Sequence, residues 1–124
     1  MPTTSPRPFE PLRKWRVALN GLRLAMRDKS VSYKLTLSVV MLGLSLSQRN
    51  WVDDCLLLIA TALVLSAELL NTAIEELCDY VQPERAPQIG ATKDIAAAAV
   101  GLCSLAWGGV ILYETLRLFL LTRA

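Results

Sequence analysis

Apolar residues gather into three long blocks, which charged and proline-rich stretches separate. The blocks occupy residues 32–47, 55–81 and 94–121. A helix needs about 20 residues to cross a bilayer, and a turn from the preceding segment would bring the short first block to that length. The pattern therefore predicts an all-α integral membrane protein with three transmembrane helices. A soluble amphipathic helix is the alternative for residues 32–47.

Ahead of these blocks, residues 10–29 combine basic and apolar side chains. Residues 1–29 contain seven Lys or Arg residues and two acidic residues. A nucleic-acid-binding surface would explain this charge alone. A helix lying on an anionic membrane surface explains the charge together with the interleaved leucines and Trp15. We therefore predict an N-terminal amphipathic surface helix, no nucleic-acid partner, and a disordered lead over residues 1–8.

The composition agrees with a membrane bundle. The 124 residues are 53% hydrophobic, with a mean hydropathy of +0.40. A soluble domain of this size needs polar faces on its elements, because much of a small domain is surface. The absence of histidine excludes histidine-dependent catalysis. The cysteines are too scattered to indicate a metal or disulfide framework.

The positive charges also predict an orientation. Lys and Arg accumulate on the cytoplasmic side of membrane helices, so the basic N-terminal side is expected to face the cytoplasm. Three crossings then place the 82–94 loop inside and the C-terminus outside. This arrangement predicts a multi-pass protein of the cell inner, or plasma, membrane.

The second block carries a polar stripe, in which Glu68, Asn71, Glu75 and Asp79 fall within a sector of roughly 80° on a helix. Glu68 follows mostly apolar sequence, so we expect it in the hydrophobic zone, where an ionisable group is a functional hypothesis by default. Shallower acids suit a hard divalent cation such as Mg²⁺. A deeper carboxylate suits proton transfer from a lipid hydroxyl. Glu114, near the end of the third block, is expected only to lie at the interface.

These residues alone do not choose a reaction. The chain lacks both the GxxxxGK phosphate loop and the glycine-rich loop of protein kinases. A proton-coupled small membrane transporter with an intramembrane glutamate explains the stripe as well as an enzyme does.

Several stretches together resemble the prokaryotic diacylglycerol kinase family, which includes the undecaprenol kinases. AELLNTAIEELCDYV contains the pattern E-x-x-N-x-A-I-E-x-x-x-D from Glu68 to Asp79, and KDIAAAAVG follows after a short loop. GLRLA, residues 21–25, is similar to the family's surface-helix motif. The resemblance implies a homotrimer of three-span subunits. It also implies transfer of the γ-phosphate of MgATP to a lipid hydroxyl, with diacylglycerol giving phosphatidic acid for phospholipid biosynthesis.

The resemblance further implies roles for individual residues. Glu68 would be the catalytic base, and Asn71 would help to place the reacting groups. The magnesium ligands would be Glu75 and Asp28. The nucleotide would contact Arg13, Glu75, Asp79, Lys93 and Asp94.

The chain departs from the family near its N-terminal end. Where members usually carry a second metal-binding glutamate, this chain has Lys29, preceded by Asp28. A shift of one residue turns a side chain by about 100° on a helix, so Asp28 replaces that glutamate only if the backbone adjusts. The departure makes an inactive paralogue a further hypothesis, beside an undecaprenol kinase and a proton-coupled transporter.

Overall fold

The computed structural model describes residues 11–82, 84 and 86–124. Every regular element within those residues is a helix, which confirms the all-α prediction. The predicted lead over residues 1–8 lies outside the described residues. The elements, in chain order, are α1 (Pro11–Ala25), α2 (Lys29–Leu46), α3 (Trp51–Val81) and α4 (Pro87–Arg123).

The N-terminal basic segment forms α1 and then turns into α2, where the sequence predicted one helix over residues 10–29. Asp28 divides the two helices, because its backbone is extended and its carboxylate accepts a hydrogen bond from Ser30 N at 2.8 Å. A cap of this kind satisfies one of the free N–H groups that begin a helix. From residue 13 onward, the side chains of α1 are exposed apart from Leu22, which is half-buried, and Ala25, which is buried.

Helix α3 begins four residues before the predicted start at residue 55. The side chain of Asn50 accepts a hydrogen bond from Val52 N at 3.3 Å and caps the helix. Asp53 and Asp54 then occupy its first turn, where negative charge interacts favourably with the helix dipole. Most of the charged stretch between the first two blocks is therefore helical.

Helix α4 begins seven residues before the predicted start at residue 94. The predicted 82–94 loop contains residues that usually interrupt a helix, among them Pro87 and Gly90. Proline is favourable in the first turn of a helix, however, because its missing N–H needs no partner there and its φ angle is already helical. Glycine weakens a helix interior by only about 1 kcal/mol. The connection between α3 and α4 is accordingly confined to residues 82–86.

Helices α3 and α4 form an antiparallel pair, and α2 packs on both, chiefly on α3. The buried centre contains Ala60, Val64 and Trp107, with half-buried apolar side chains around them. Trp107 Nε1 donates a hydrogen bond to Ser38 Oγ at 2.8 Å, so a buried polar contact also joins α4 to α2. An indole N–H removed from water needs such a partner.

Two of the helices, α3 and α4, are long and apolar enough to cross a membrane. Little of their apolar surface is covered by the rest of the chain: Leu102 is 71% exposed and Leu105 is 76% exposed. Soluble monomers rarely expose continuous apolar surfaces of this extent. The surface of this pair therefore matches a membrane location. Helix α2, the predicted first span, is not among the helices that are long and apolar enough to cross a membrane.

Candidate functional site

Glu68 lies in a buried polar contact that joins three helices. The residue is on α3 and is 5% exposed. It accepts a hydrogen bond from Ser30 Oγ at 2.6 Å and forms an ion pair with Lys34, both on α2. Lys34, which is 4% exposed, also donates to Ser104 Oγ on α4 at 2.9 Å. The acid that the sequence singled out is thus buried, and its partner is a buried cation.

The sequence reasoning missed Lys34 and the hydroxyl groups around it. A signal was present, because Ser30, Lys34 and Ser38 recur at intervals of four and so share one face of a helix. Lys34, Ser38 and Ser45 are all buried on α2. Polar residues that recur once per turn in an apolar helix indicate the face that packs inward.

The stripe on α3 passes from buried to exposed along the helix. Beyond Glu68, Asn71 Nδ2 donates to Glu75 Oε1 at 2.9 Å, whereas the buried Asn71 Oδ1 has no hydrogen-bond partner in the described part of the chain. Glu75 and Asp79 are exposed. At about 1.5 Å per residue, Glu68 lies about 25 Å along α3 from Trp51, and Asp79 about 42 Å. A hydrocarbon core of about 30 Å that begins at Trp51 would enclose Glu68 and leave Asp79 outside it.

Lys93 and Asp79 form an ion pair between α4 and α3 at this outer end. The two side chains are 34% and 66% exposed, respectively, so the pair contributes little to stability. A cavity of about 460 Å³ opens beside them, with Gln82, Glu84 and Gly90 among its lining residues. Lysine can bind phosphate as a point charge. This end of the bundle therefore offers space and charge for a small anionic ligand.

Three of the predicted site residues are not joined directly to these contacts. The side chains of Arg13 and Asp94 are exposed and make no hydrogen bond or ion pair with another described residue. Asp28 caps α2 and is connected to Glu68 only through Ser30, whose N–H it accepts and whose hydroxyl donates to Glu68. The structure thus brings Lys93 next to Asp79 at the outer end of the stripe on α3. Asp28 instead acts as the N-terminal cap of α2.

A largely apolar groove of about 490 Å³ runs between α3 and α4 beside the stripe. Asn71 and Thr92 contribute polar groups to its wall, and Leu70, Ile74 and Ala96 are among its apolar lining residues. The groove therefore brings apolar surface next to Asn71, one turn from Glu68 along α3.

A second buried polar cluster lies at the opposite end of the bundle, and the sequence reasoning missed it too. Arg117 on α4 forms ion pairs with Asp53 on α3 and, at 3.2 Å, with Glu114 one turn earlier on α4. Asn50 Nδ2 donates to Asp53 Oδ2 at 2.6 Å. Glu114 is 0% exposed, so the expectation that it only lies at the interface is wrong. Its Oε2 accepts a hydrogen bond from Arg117, whereas its buried Oε1 has no hydrogen-bond partner among the described residues.

The sequence model of the prokaryotic diacylglycerol kinase family matches residues 16–114. The chain belongs to this family. It is also 28% identical over 102 residues to a protein named diacylglycerol kinase from Haemophilus influenzae, an alignment that covers 77% of this chain and 86% of that protein. The family assignment made from the motifs is thereby confirmed. The family match contains the stripe, Lys34 and Lys93, whereas Arg13 and Arg117 lie outside it.

Proposed function

We propose that this diacylglycerol kinase family member transfers the γ-phosphate of MgATP to the hydroxyl group of diacylglycerol and forms phosphatidic acid. One observation carries the proposal: polar groups continue along α3 from the buried Glu68, through Asn71 and Glu75, to the exposed Asp79–Lys93 pair. A lipid hydroxyl would approach from the apolar side, and a nucleotide would approach from water. Phosphoryl transfer needs chiefly the positioning of these two substrates and neutralisation of the phosphate charge.

In this proposal Glu68 accepts the proton of the lipid hydroxyl, since it is the buried carboxylate of the stripe. Asn71 lies between this base and the exposed end, where its amide can orient the reacting groups. Lys93 and Asp79 would contact the nucleotide, because they border the open cavity at the outer end. Asp94 and Arg13 are assigned to the nucleotide from the family resemblance, and both side chains are exposed to solvent.

The residues of the stripe fit a magnesium ion that arrives with the nucleotide. Asn71 Oδ1 is buried and has no hydrogen-bond partner among the described residues, and the Glu75 carboxylate lies beside the same amide. Among the described residues, no three acidic, cysteine or histidine side chains form a metal cage. Magnesium commonly uses one or two carboxylates and takes its other ligands from phosphate and water. When bound, the ion would neutralise charge on the transferred phosphate. Asp28 is the second ligand in the proposal.

The proposed assembly is a homotrimer in the inner, or plasma, membrane, with α2, α3 and α4 each crossing the bilayer. The N-terminus would be cytoplasmic and the C-terminus outside, because the N-terminal segment holds most of the positive charge. The exposed apolar surface of α3 and α4 supports a lipid environment and leaves area for contacts between subunits.

Diacylglycerol is favoured as the acceptor by the name of the Haemophilus influenzae relative. The apolar groove between α3 and α4 supports a lipid acceptor in general. Undecaprenol is the second candidate lipid, because the family includes kinases for that alcohol. A kinase assay that offers each lipid separately distinguishes the two.

A radiolabelled-ATP assay on purified protein in lipid bilayers tests the proposal, with diacylglycerol and undecaprenol offered separately and the products resolved by thin-layer chromatography. We expect labelled phosphatidic acid, no turnover in Glu68→Gln, and an intact oligomer in that variant. Glu76→Gln is the matched control, since Glu76 is an exposed carboxylate on the same helix. Normal turnover in Glu68→Gln would contradict the role of Glu68 as the base.

The same preparation distinguishes a kinase from a proton-coupled transporter and from an inactive paralogue. Substrate flux that follows a pH gradient without ATP consumption would identify the transporter. Absence of turnover that Lys29→Glu restores would identify the inactive paralogue, in which the missing acidic side chain is the defect.

A further inference from the structure

Lys34 is a buried cation at the point where α2, α3 and α4 meet. It is 4% exposed and is directed to the Glu68 carboxylate, with Ser104 Oγ as its second acceptor at 2.9 Å. Ser30 Oγ approaches the same Glu68 oxygen, Oε1, at 2.6 Å. The two acceptors of Lys34 therefore lie on α3 and α4. The second donor to Glu68, Ser30, lies on α2 with Lys34.

Helix packing alone does not explain this ion pair. Removing two charges from water is unfavourable, and apolar residues of similar volume often stabilise a protein as well as a buried ion pair does. One turn further along α2, an uncharged contact between Ser38 and Trp107 already joins α2 to α4. The ion pair is instead located at Glu68, which is buried, whereas the other two carboxylates of the stripe are exposed.

We propose that Lys34 is a positioning residue for Glu68, an inference that rests on the proposed kinase function. Its ammonium group holds the carboxylate in one orientation in the apolar interior, where it can accept a proton. The lipid O–H bond then breaks and its proton passes to Glu68, while the lipid oxygen forms a bond to the γ-phosphorus. The bond from that phosphorus to the bridging oxygen breaks, and ADP leaves with the electron pair.

This charge arrangement explains why a cation is needed beside the base. Before transfer, the charges of Glu68 and Lys34 cancel. Once Glu68 has taken the proton, Lys34 retains its positive charge while negative charge develops at the transferring phosphoryl group. A fixed cation near developing negative charge lowers the barrier more than it strengthens binding of either substrate. Loss of Lys34 should therefore reduce kcat and leave KM nearly unchanged.

The test compares wild-type protein with Lys34→Met, Lys34→Arg and Ser38→Ala in bilayers, with kcat and the KM values for MgATP and diacylglycerol measured separately. We expect Lys34→Met to lower kcat by about 100-fold, with both KM values within about threefold of wild type. Lys34→Arg retains the charge and should keep more of the activity. Ser38→Ala removes a buried contact between α2 and α4 without touching Glu68, so it should lower thermal stability and leave kcat unchanged.

Each outcome supports or overturns the inference. Wild-type kcat in Lys34→Met, or equal losses of kcat in Lys34→Met and Ser38→Ala, would overturn it and leave the kinase function standing. Wild-type protein that phosphorylates no lipid would overturn the kinase function, and the role of Lys34 with it. If Lys34→Met does not assemble, Lys34→Gln replaces it with the same expectation, because the amide can donate to Glu68 but carries no charge.

Discussion

Arg117 is the side chain whose removal should most damage the end of the bundle opposite the Asp79–Lys93 pair. It is paired with Asp53 and with Glu114, and these two acids are 5% and 0% exposed as side chains. Arg117→Met keeps the volume and the apolar stem but leaves both carboxylates without a cation. Asp53 would retain its hydrogen bond from Asn50, while Glu114 would lose its partner.

The size of the effect follows from this burial. Removing one member of a buried ion pair destabilises a protein by about 3 to 5 kcal/mol, because the remaining charge is uncompensated. The Arg117 side chain is 18% exposed, so the pair is not fully enclosed by the chain and the lower limit applies. We therefore expect a loss of about 3 kcal/mol in the free energy of unfolding.

Denaturant unfolding in detergent micelles, followed by tryptophan fluorescence, measures this loss. Arg123→Met is the matched control, since Arg123 is an exposed arginine near the end of the same helix. Adding Glu114→Gln to Arg117→Met should recover part of the stability, because one of the two uncompensated charges is then gone. Equal stability in Arg117→Met and Arg123→Met would refute the reasoning.

Three further predictions concern packing and metal binding. Leu57, which is 1% exposed, should lose about 3 kcal/mol of stability as Leu57→Ala, whereas Leu58→Ala, at an exposed position, should change little in the same unfolding assay. An added Cβ at Gly101 meets no atom within 4 Å in the subunit. Gly101→Ala should therefore leave subunit stability unchanged, and a fall in the fraction of the proposed trimer on size-exclusion chromatography would place this position between subunits. Glu75→Gln should raise the magnesium concentration needed for half-maximal kinase activity, and an unchanged requirement would exclude Glu75 as a ligand.

The stripe was predictable from sequence because it depends only on helical spacing. Residues three and four apart share a face whatever the rest of the chain does, so Glu68, Asn71 and Glu75 could be grouped before the structure was known. The expectation that Glu68 lies in the hydrophobic zone of the membrane followed from the apolar residues before it. The family motif added the proposed chemistry, which spacing alone could not provide.

The partners of the buried acids were not predictable in the same way. Lys34 meets Glu68 only because α2 packs on α3 in one particular register, and side-chain spacing within one helix does not determine a register between helices. Glu114 was assigned to the interface because its cation, Arg117, had not been recognised as a partner. The start of α4 was misplaced for a local reason, since Pro87 was interpreted as a helix breaker rather than as a first-turn residue.

The contact between Lys34 and Glu68 also has a consequence for how the chain enters a bilayer. In the proposed topology, each residue alone would carry a charge into hydrocarbon, at a cost of about 2.5 to 3.5 kcal/mol on insertion scales. Together they enter as a neutral pair. This favours insertion of α2 and α3 as a hairpin, with the two helices leaving the translocation machinery side by side rather than one after the other.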